Sequence, residues 1–287
     1  YKSTNRTVGL CVPTSQLGKF RAMDKSRLKK KLFSMIDPLL SFKSFTKLES
    51  KNLHESLVEL QKLEFSEISR KRQYKFGILN WQEGNRDEED MFSNCEISSN
   101  FQDFITLLGD KVELLDWDKY TGGLDITPAE SSGKYSYYTN YDGTEIMFHV
   151  APYLPYSVKE RQQLARKRHI GNDVAIVIFS EASRAYLTSL IASQFNHIII
   201  VVSVKRNAKG RKVYTVAVTA KESVPPFGPP LPKKGEFSNK RELRAFLIQK
   251  LINAEKAALL APAFVARVQR SREVLMRCIV DSEKRAQ

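Results

Sequence analysis

Cysteine, histidine and long apolar runs are all scarce in this sequence of 287 residues. The three cysteines, Cys11, Cys95 and Cys278, are an odd number without a CxxC pair, which argues against a disulfide framework and favours a reducing, cytoplasmic compartment. The four histidines lie far apart, without the ligand spacing of a structural zinc site. No apolar run approaches the ~20 residues that span a bilayer, so we expect no transmembrane segment. Because the chain begins at Tyr1 and has no signal-peptide pattern, we expect a piece of a longer protein.

Charge is abundant but segregated along the chain. The formal net charge of +14 is made of +10 in residues 1–75, −11 in residues 76–156 and +15 in residues 157–287. A strongly acidic middle third is not expected in a nucleic-acid-binding protein, whose basic residues form a continuous surface. The segregation favours either complementary packing of oppositely charged segments or a basic face that binds an acidic partner. Solvation of helix surfaces is the simpler explanation for most of these lysines and arginines.

The hydrophobic pattern predicts three parts: an N-terminal α+β segment over 1–73, a larger domain over 74–262 and a C-terminal helix over 263–287. The N-terminal segment contains a predicted strand over 6–12 followed by helices. The predicted strands of the larger domain are 74–80, 111–116, 135–141, 144–150, 174–179, 197–204 and 213–220. Two of these are continuous apolar runs, as in strands buried on both faces of a sheet. We therefore predict an α/β fold with a mixed sheet flanked by helices.

Capping and turn residues predict where the helices and hairpins lie. Asp142-Gly143 predicts a two-residue hairpin, and Ser99 with Gln102 predicts a helix that ends at Gly109. The spacing of Ser157 and Glu160 predicts a helix from 157 to about 170, and a helix over 186–195 would complete a βαβ crossover. Helices over 239–260 and 263–285 are predicted to be separated at Pro262. The proline-rich segment 224–232 is predicted to be an extended connector, with an SH3-type ligand as the alternative.

The predicted helix over 157–170 is the unusual element, because it is basic and ends beside a buried strand. Its last turns carry Arg166, Lys167 and Arg168, which complement the helix dipole. Gly171 is expected to end the helix, which leaves Asn172 as a polar side chain at the top edge of the sheet, where α/β proteins usually place functional groups. A carboxamide both donates and accepts hydrogen bonds, so it can orient a water molecule without taking its proton. The alternative is a cap that satisfies backbone groups.

The run ARKRHIGNDVAIVIF closely resembles the signature of the Rap-type GTPase-activating protein (GAP) domain, a family that includes tuberin. The resemblance extends over residues 74–260 through KFGILNWQEGNRDEEDMFSN, FQDFITLLGDKVEL, YTNYDGTEIMFHVAPYLPY and LINAEKAA. The pair PPFGPPLP and LINAEKAA looks closest to the spine-associated, signal-induced-proliferation branch. The resemblance implies a catalytic domain whose sheet is similar to a G domain. It also implies a smaller domain that in some members mediates homodimerisation.

The resemblance implies that Asn172 is the catalytic "asparagine thumb", which enters the GTPase and positions the attacking water. His169 is implied to support catalysis, by orienting the helix or the thumb or by direct contact. Because the family uses no arginine finger, Arg166, Lys167 and Arg168 are expected to bind the acidic switch surface of the GTPase. Asp173 is expected to brace the thumb by accepting backbone hydrogen bonds, also as part of the GTPase-binding set. No cofactor of its own is implied, since GTP and Mg²⁺ are carried by the GTPase.

The resemblance leaves more than one function open. The expected activity is acceleration of GTP hydrolysis by a Rap-family GTPase in its GTP-bound state, in the cytoplasm or at a membrane that the GTPase or missing domains reach. The alternatives are a GAP for Rheb or Ral, or a GTPase-binding scaffold without catalysis. The acidic segment 83–90 could suggest a divalent-metal site, but a solvated loop or a first helical turn is favoured, and we expect neither a metal site nor nucleic-acid binding.

Overall fold

The computed structural model describes residues 72–285, except 188, 189 and 192, together with the isolated residues 24, 27 and 58. The strand predicted over 6–12 and the N-terminal helices lie outside the described residues. The chain divides into two compact units, of which Glu64–Val268 is one and Tyr1–Leu63 with Gln269–Gln287 is the other. The domain boundaries predicted after residues 73 and 262 stay predictions. None of the described helices is long and apolar enough to cross a bilayer.

A single mixed sheet of eight strands forms the centre of the larger unit. Its spatial order is β2-β3-β4-β1-β5-β6-β7-β8. The strands are β1 (Gln73–Trp81), β2 (Asp110–Glu113), β3 (Tyr135–Tyr141), β4 (Thr144–Val150), β5 (Ala175–Ser180), β6 (Ile198–Arg206), β7 (Lys212–Ala220) and β8 (Glu236–Phe237). The four central strands β4, β1, β5 and β6 are parallel, and the outer pairs are antiparallel. The predicted mixed α/β sheet is confirmed.

The predicted hairpin is also confirmed. Strands β3 and β4 pair up to Tyr141 opposite Thr144, and the two turn residues between them have φ of 50° at Asp142 and 72° at Gly143. Two successive positive φ values match the right-handed twist of the strands, and Asp-Gly tolerates them.

Four helices cover the two faces of the sheet: α1 (Glu88–Ser93), α2 (Ser99–Leu108), α3 (Leu164–Ile170) and α4 (Lys240–Ala258). A fifth described helix, α5 (Pro262–Arg285), follows α4 along the chain. One apolar cluster joins a sheet face to α2 and α4 through residues such as Phe104 and Leu247. The other face packs against α1 and α3 through residues such as Phe92 and Ile170. Strand β5 is buried over its whole length, as its continuous apolar sequence predicts.

One predicted helix start and one predicted helix are wrong. The helix expected from Ser157 begins at Leu164, because the buried Gln163 side chain bonds the backbone of Ser157 and Glu160 and closes residues 157–163 into a loop. Gln163 itself has φ of 46°, which a helix interior does not allow. The described residues between β5 and β6 form bends and irregular backbone without the predicted α-helix over 186–195, although β5 and β6 are parallel as predicted.

The proline-rich segment is held against α4. The buried Lys250 Nζ donates to the carbonyl oxygens of Phe227 (2.7 Å) and Pro229 (3.0 Å), and Asn253 Nδ2 donates to the carbonyl of Gly228 (3.1 Å). Lys250 also lies 4.2 Å from the centroid of the Phe227 ring. A segment fixed in this way supports the predicted connector rather than a free peptide ligand.

Candidate functional site

The site is built where α3 meets β5, at the amino-terminal edge of the parallel strands. Asn172 and Asp173 lie between Ile170, the last residue of α3, and Ala175, the first of β5. We call residues 171–173 the thumb turn. Open α/β sheets ordinarily bind ligands at the carboxyl ends of their strands, so this position is the opposite edge. The expected top edge, where α/β proteins usually place functional groups, is therefore wrong, because the turn precedes β5 and so lies where the parallel strands begin.

Position 171 requires glycine because a side chain has no room there, and not because of its backbone angles. Its φ of −67° and ψ of −17° are those of an ordinary right-handed helix. A Cβ added there would lie 2.5 Å from the carbonyl oxygen of Lys167, which is backbone and has little freedom to move away. The turn therefore stays tight, with Asn172 N donating to His169 O at 3.1 Å.

Asn172 is exposed, and its side chain is folded back onto α3. Its Nδ2 donates to the carbonyl oxygen of Arg168 at 2.6 Å. This carbonyl belongs to the last turn of the helix, where backbone oxygens lack intrahelical partners. The capping geometry that the sequence left as an alternative is thus present, on a side chain that still lies at the surface.

The loop before β6 braces the backbone of the thumb turn. Asn196 Nδ2 donates to the carbonyl oxygens of Ile170 (2.9 Å) and Asp173 (2.6 Å), and Ser193 Oγ donates to that of Gly171 (2.9 Å). Asn196 is buried, so these bonds are protected from water. Carbonyls on both sides of Asn172 are fixed, so its side chain, held by the bond to Arg168 O, is the part that can move without the backbone.

Asp173 does not have the role that was expected of it. Its side chain is fully buried, so it cannot touch a partner protein. Its Oδ2 lies 2.8 Å from His149 Nδ1, and its Oδ1 forms an ion pair with Lys75 Nζ at 3.6 Å. The bracing by backbone hydrogen bonds that was predicted for Asp173 comes from Asn196 and Ser193 instead.

Burial next to Asp173 also perturbs a carboxyl group on α4. Desolvation, together with the negative charge of Asp173, raises the pKa of Glu255 to about 8, while Lys75 opposes the shift.

His169 is a buried, neutral imidazole at the end of α3. Burial lowers its pKa to about 4, helped by the positive charges of His149 and Arg168. Its Nε2 faces two donors, Arg168 Nε and Ser132 Oγ, both at 3.3 Å. A nitrogen that accepts from Arg168 carries no proton of its own, so the geometry and the pKa agree.

The three consecutive basic residues point in different directions, and the common docking role predicted for them is wrong for Arg166. Arg166 is 1% exposed and donates to the carbonyls of Phe92 (2.6 Å), Asn94 (2.8 Å) and Leu154 (3.3 Å). It therefore joins α3 to α1. Because successive helical residues are about 100° apart, the three side chains cannot share one face.

Lys167 and Arg168 remain at the surface to different degrees. Lys167 Nζ forms an ion pair with Glu88 at 2.8 Å, within a set of charge pairs in which Arg161 binds Asp87 (3.3 Å) and Glu89 (2.6 Å). The basic segment thus packs against the acidic segment 83–90, one of the two explanations that the charge segregation left open. Arg168 is exposed beside Asn172, where its Nη2 donates to Ser131 O at 3.1 Å.

An open cleft of about 450 Å³ adjoins Asn172. One wall is the end of α3. The other is residues 121–132, which we call the glycine loop because it contains Gly122-Gly123. The Asp125 carboxylate folds this loop by accepting hydrogen bonds from Thr127 and Ser131, which hold its pKa well below the usual range. The lining residues are Lys75, Gly122, Gly123, Leu124, Asp125, Ser131, Ser132, Arg168, His169 and Asn172.

Comparison with known proteins identifies the family to which this site belongs. The family model described as Rap/ran-GAP matches residues 91–273, which is more than half of the chain. The chain belongs to the Rap/Ran-GAP family. The predicted resemblance is confirmed, and the thumb turn lies within the matched residues.

Relatives of this Rap/Ran-GAP domain are much longer proteins. The chain is 44% identical over 209 residues, 72% of its length, to chicken GTPase-activating Rap/Ran-GAP domain-like protein 3, and covers 22% of that protein. It is 38% identical over 248 residues, 85% of its length, to a Dictyostelium discoideum PH and Rap-GAP domain-containing protein, and covers 20% of it. It is 40% identical over 223 residues, 77% of its length, to mouse signal-induced proliferation-associated 1-like protein 3, and covers 12% of it. The chain thus spans about a fifth or less of these relatives.

A solved structure shares the fold. The TSC2 GAP domain superposes with a TM-score of 0.58 at 26% identity, over 66% of this chain and 97% of that domain. The Rap/Ran-GAP sheet and its flanking helices are therefore those of a GAP domain.

Sequence reasoning missed the residues that support the thumb from other elements of this Rap/Ran-GAP domain. Asn196, Lys75, His149 and the glycine loop are distant from Asn172 in sequence. His149 carried a detectable signal, because strand alternation places a polar ring on the same face as buried Met147. No group of three or more His, Cys, Asp or Glu side chains in the described part of the chain is arranged to hold a metal ion.

Proposed function

We propose that this domain accelerates GTP hydrolysis by a Rap-family small GTPase, with Asn172 as the residue that positions the attacking water. The observation that carries the proposal is an exposed carboxamide on a turn whose backbone is fixed on both sides, beside a cleft and an exposed arginine. Family membership supports the GAP activity. The identity of the GTPase rests on the resemblance alone.

The mechanism asks little covalent chemistry of the domain. Phosphoryl transfer depends mainly on the positioning of the nucleophile and on stabilisation of the spread charge. The hydrogen bond between Asn172 Nδ2 and Arg168 O has to be exchanged for contacts in the GTPase, and this exchange needs only side-chain rotation. Once inside, the carboxamide can accept from the water with its oxygen and donate with its nitrogen, so it orients the water without deprotonating it. GTP and Mg²⁺ come with the GTPase.

The neighbouring residues divide into supporting and docking roles. His169 is neutral and fixed by two donors, so it supports the helix end rather than acting as a proton donor at neutral pH. Arg168 is the exposed basic residue next to Asn172 and is the docking charge for the acidic GTPase surface. Lys167 contributes less to docking because it is already paired with Glu88.

The choice of GTPase is tested with GTP-loaded Rap, Rheb and Ral in single-turnover hydrolysis assays. We expect acceleration of Rap hydrolysis by ~10³–10⁵-fold, the range of GAPs that supply a missing group. A larger acceleration of Rheb or Ral would mean that the proposed mechanism holds but that Rap is not the preferred GTPase. Binding to all three without acceleration would favour the scaffold alternative.

The docking role of Arg168 is tested by Arg168→Ala. We expect a higher KM for the GTPase with kcat nearly unchanged, and a weaker dependence of KM on ionic strength, because an exposed charge acts mainly through encounter. Lys159→Ala is the control, since Lys159 is an exposed lysine that does not line the cleft. An unchanged KM in Arg168→Ala would mean that Arg168 only stabilises the end of α3 and does not dock the GTPase.

We further propose that the protein acts in the cytoplasm, reaching membranes through its GTPase or through other parts of the full-length protein. The homodimer implied by the resemblance stays a proposal. Sedimentation of the full chain at increasing concentration tests it, and a single monomeric species would exclude it.

A further inference from the structure

His149 is a fully buried side chain on β4 that contacts both walls of the cleft. Its Nδ1 lies 2.8 Å from Asp173 Oδ2, in the thumb turn. Its Nε2 lies 3.2 Å from the carbonyl oxygen of Gly122, in the glycine loop. Both partners are hydrogen-bond acceptors, so the imidazole lies between the carboxylate of the thumb turn and a backbone carbonyl of the glycine loop and joins the two.

The Asp173 side chain depends on His149. Among the described residues, Asp173 Oδ1 makes no hydrogen bond and has only the 3.6 Å ion pair with Lys75, so His149 supplies the one short contact of this carboxylate. A buried carboxylate without a partner is strongly unfavourable. The position of Asp173, and with it that of the adjacent Asn172, is therefore tied to β4.

Space for this arrangement is provided by Gly77 on β1. A Cβ added to Gly77 would lie 3.2 Å from Asp173 Oδ2 and 2.6 Å from Ile170 Cγ2. The absence of a side chain at this strand position lets the thumb turn approach the sheet closely enough for Asp173 to reach His149.

The glycine loop is fitted to the same imidazole. Gly122 has φ of 66°, and a Cβ there would lie 2.9 Å from Met147 Cβ and 3.2 Å from His149 Nε2. Two further contacts join the walls near the surface, Arg168 Nη2 to Ser131 O at 3.1 Å and Ser132 Oγ to His169 Nε2 at 3.3 Å. His149 is the member of this set that lies deepest.

We propose that His149 is a positioning residue for the GAP reaction: it fixes the thumb turn against the glycine loop so that Asn172 enters the GTPase at the productive distance. The inference rests on the proposed function of Asn172 and names the residue through which β4 controls it. His149 touches neither the GTPase nor GTP. Its effect must therefore pass through Asn172.

The test compares His149→Phe and His149→Asn in single-turnover hydrolysis at saturating concentrations of the domain. Phe keeps a ring of similar shape but removes both ring nitrogens and so both contacts. Asn can place an amide N–H near the Nδ1 position, which keeps the contact with Asp173 and loses that with Gly122. Because misplacement by about 1 Å can cost ~10²-fold in rate, we expect His149→Phe to lower kcat by about that factor with a small change in KM, and His149→Asn to be intermediate.

The decisive readout is coupling to Asn172. In an Asn172→Ala background, His149→Phe should lower kcat by less than about 3-fold, because the group that it positions is already absent. Val216→Ala is the control for stability, since Val216 is buried on β7 away from the cleft and its truncation should leave kcat unchanged. If His149→Phe does not fold, as judged by circular dichroism, the His149→Asn and Asn172→Ala pair gives the same test.

The outcomes separate the two proposals. A full ~10²-fold loss that persists in the Asn172→Ala background, or a His149→Phe variant with wild-type kcat, would overturn the positioning role while the GAP function stands. Absence of acceleration by the wild-type domain, with the GTPase bound, would overturn both.

Discussion

Arg166 gives the sharpest test of how the basic end of α3 works. The sequence places it in a docking cluster, and the structure places it in the interior, where it donates to three carbonyl oxygens and to the sulfur of Cys95 at 3.5 Å. Arg166→Ala removes all these donors and leaves a cavity that only water can fill. With a cost of ~1–3 kcal/mol for each buried acceptor left without a partner, and partial rescue by water, we expect a loss of about 3–5 kcal/mol in the free energy of unfolding.

The assay is thermal and urea unfolding of Arg166→Ala, with Arg168→Ala as the matched control. For a domain of this size, 1 kcal/mol corresponds to ~2–4 °C in Tm, so a loss of 3 kcal/mol lowers Tm by roughly 6–12 °C. Arg168 is exposed, and its truncation should change stability by no more than about 0.5 kcal/mol. Arg166→Lys should recover only part of the loss, because an ammonium group cannot reproduce the fork of donors. An Arg166→Ala domain that is as stable as wild type but has a raised KM would refute the reasoning and restore the docking role.

Three further perturbations test other parts of the structure. The pKa of Glu255 is raised in the folded state, so the unfolded chain releases this proton at lower pH and the wild-type domain should lose stability between about pH 4.5 and 8. Glu255→Gln should remove this decline, which chemical denaturation at pH 5 and 8.5 measures. An equal change in unfolding free energy between the two pH values in both proteins would contradict it. Gly171→Ala should destabilise the domain by about 1–3 kcal/mol and lower kcat, because the new Cβ meets the carbonyl of Lys167 and shifts the thumb turn. If Tm and kcat stay at their wild-type values, the turn can accommodate a side chain and this prediction is wrong. Lys250→Met should free residues 225–232, seen as faster limited proteolysis within that segment, and unchanged cleavage would mean that the lysine contacts are not what holds it.

Much of the fold follows from local sequence. The apolar run at β5 and the Asp142-Gly143 turn depend on neighbouring residues, and the structure has them where they were predicted. The two last helices are separated as predicted, but at residues 259–261, and Pro262 begins the second one. The helix start predicted at Ser157 is wrong although Ser157 and Glu160 have the spacing of a capping box. The side chain of Gln163 bonds the backbone of Ser157 and closes a loop there instead. The contact between Gln163 and Ser157, six residues apart, thus prevents the helix that the capping pattern predicts.

The site was predicted less completely, for a physical reason. Asn172 and the exposed Arg168 lie only four residues apart in the chain, so one sequence motif contains both. Asn196 and His149 contact residues on either side of Asn172. They come from the loop before β6 and from β4, respectively, and only the sheet brings them to the thumb turn. Arg166 did carry a signal, because it lies one helical turn before the buried Ile170.

The central claim is that Asn172 supplies catalysis rather than affinity. The measurement that tests it most directly is single-turnover hydrolysis of GTP-loaded Rap at saturating concentrations of the wild-type domain and of Asn172→Ala, with the affinity of each complex measured in parallel. The account predicts that Asn172→Ala folds and binds as wild type does but loses most of an acceleration of ~10³–10⁵-fold. Full acceleration by the variant, or a loss explained by weaker binding alone, would contradict it.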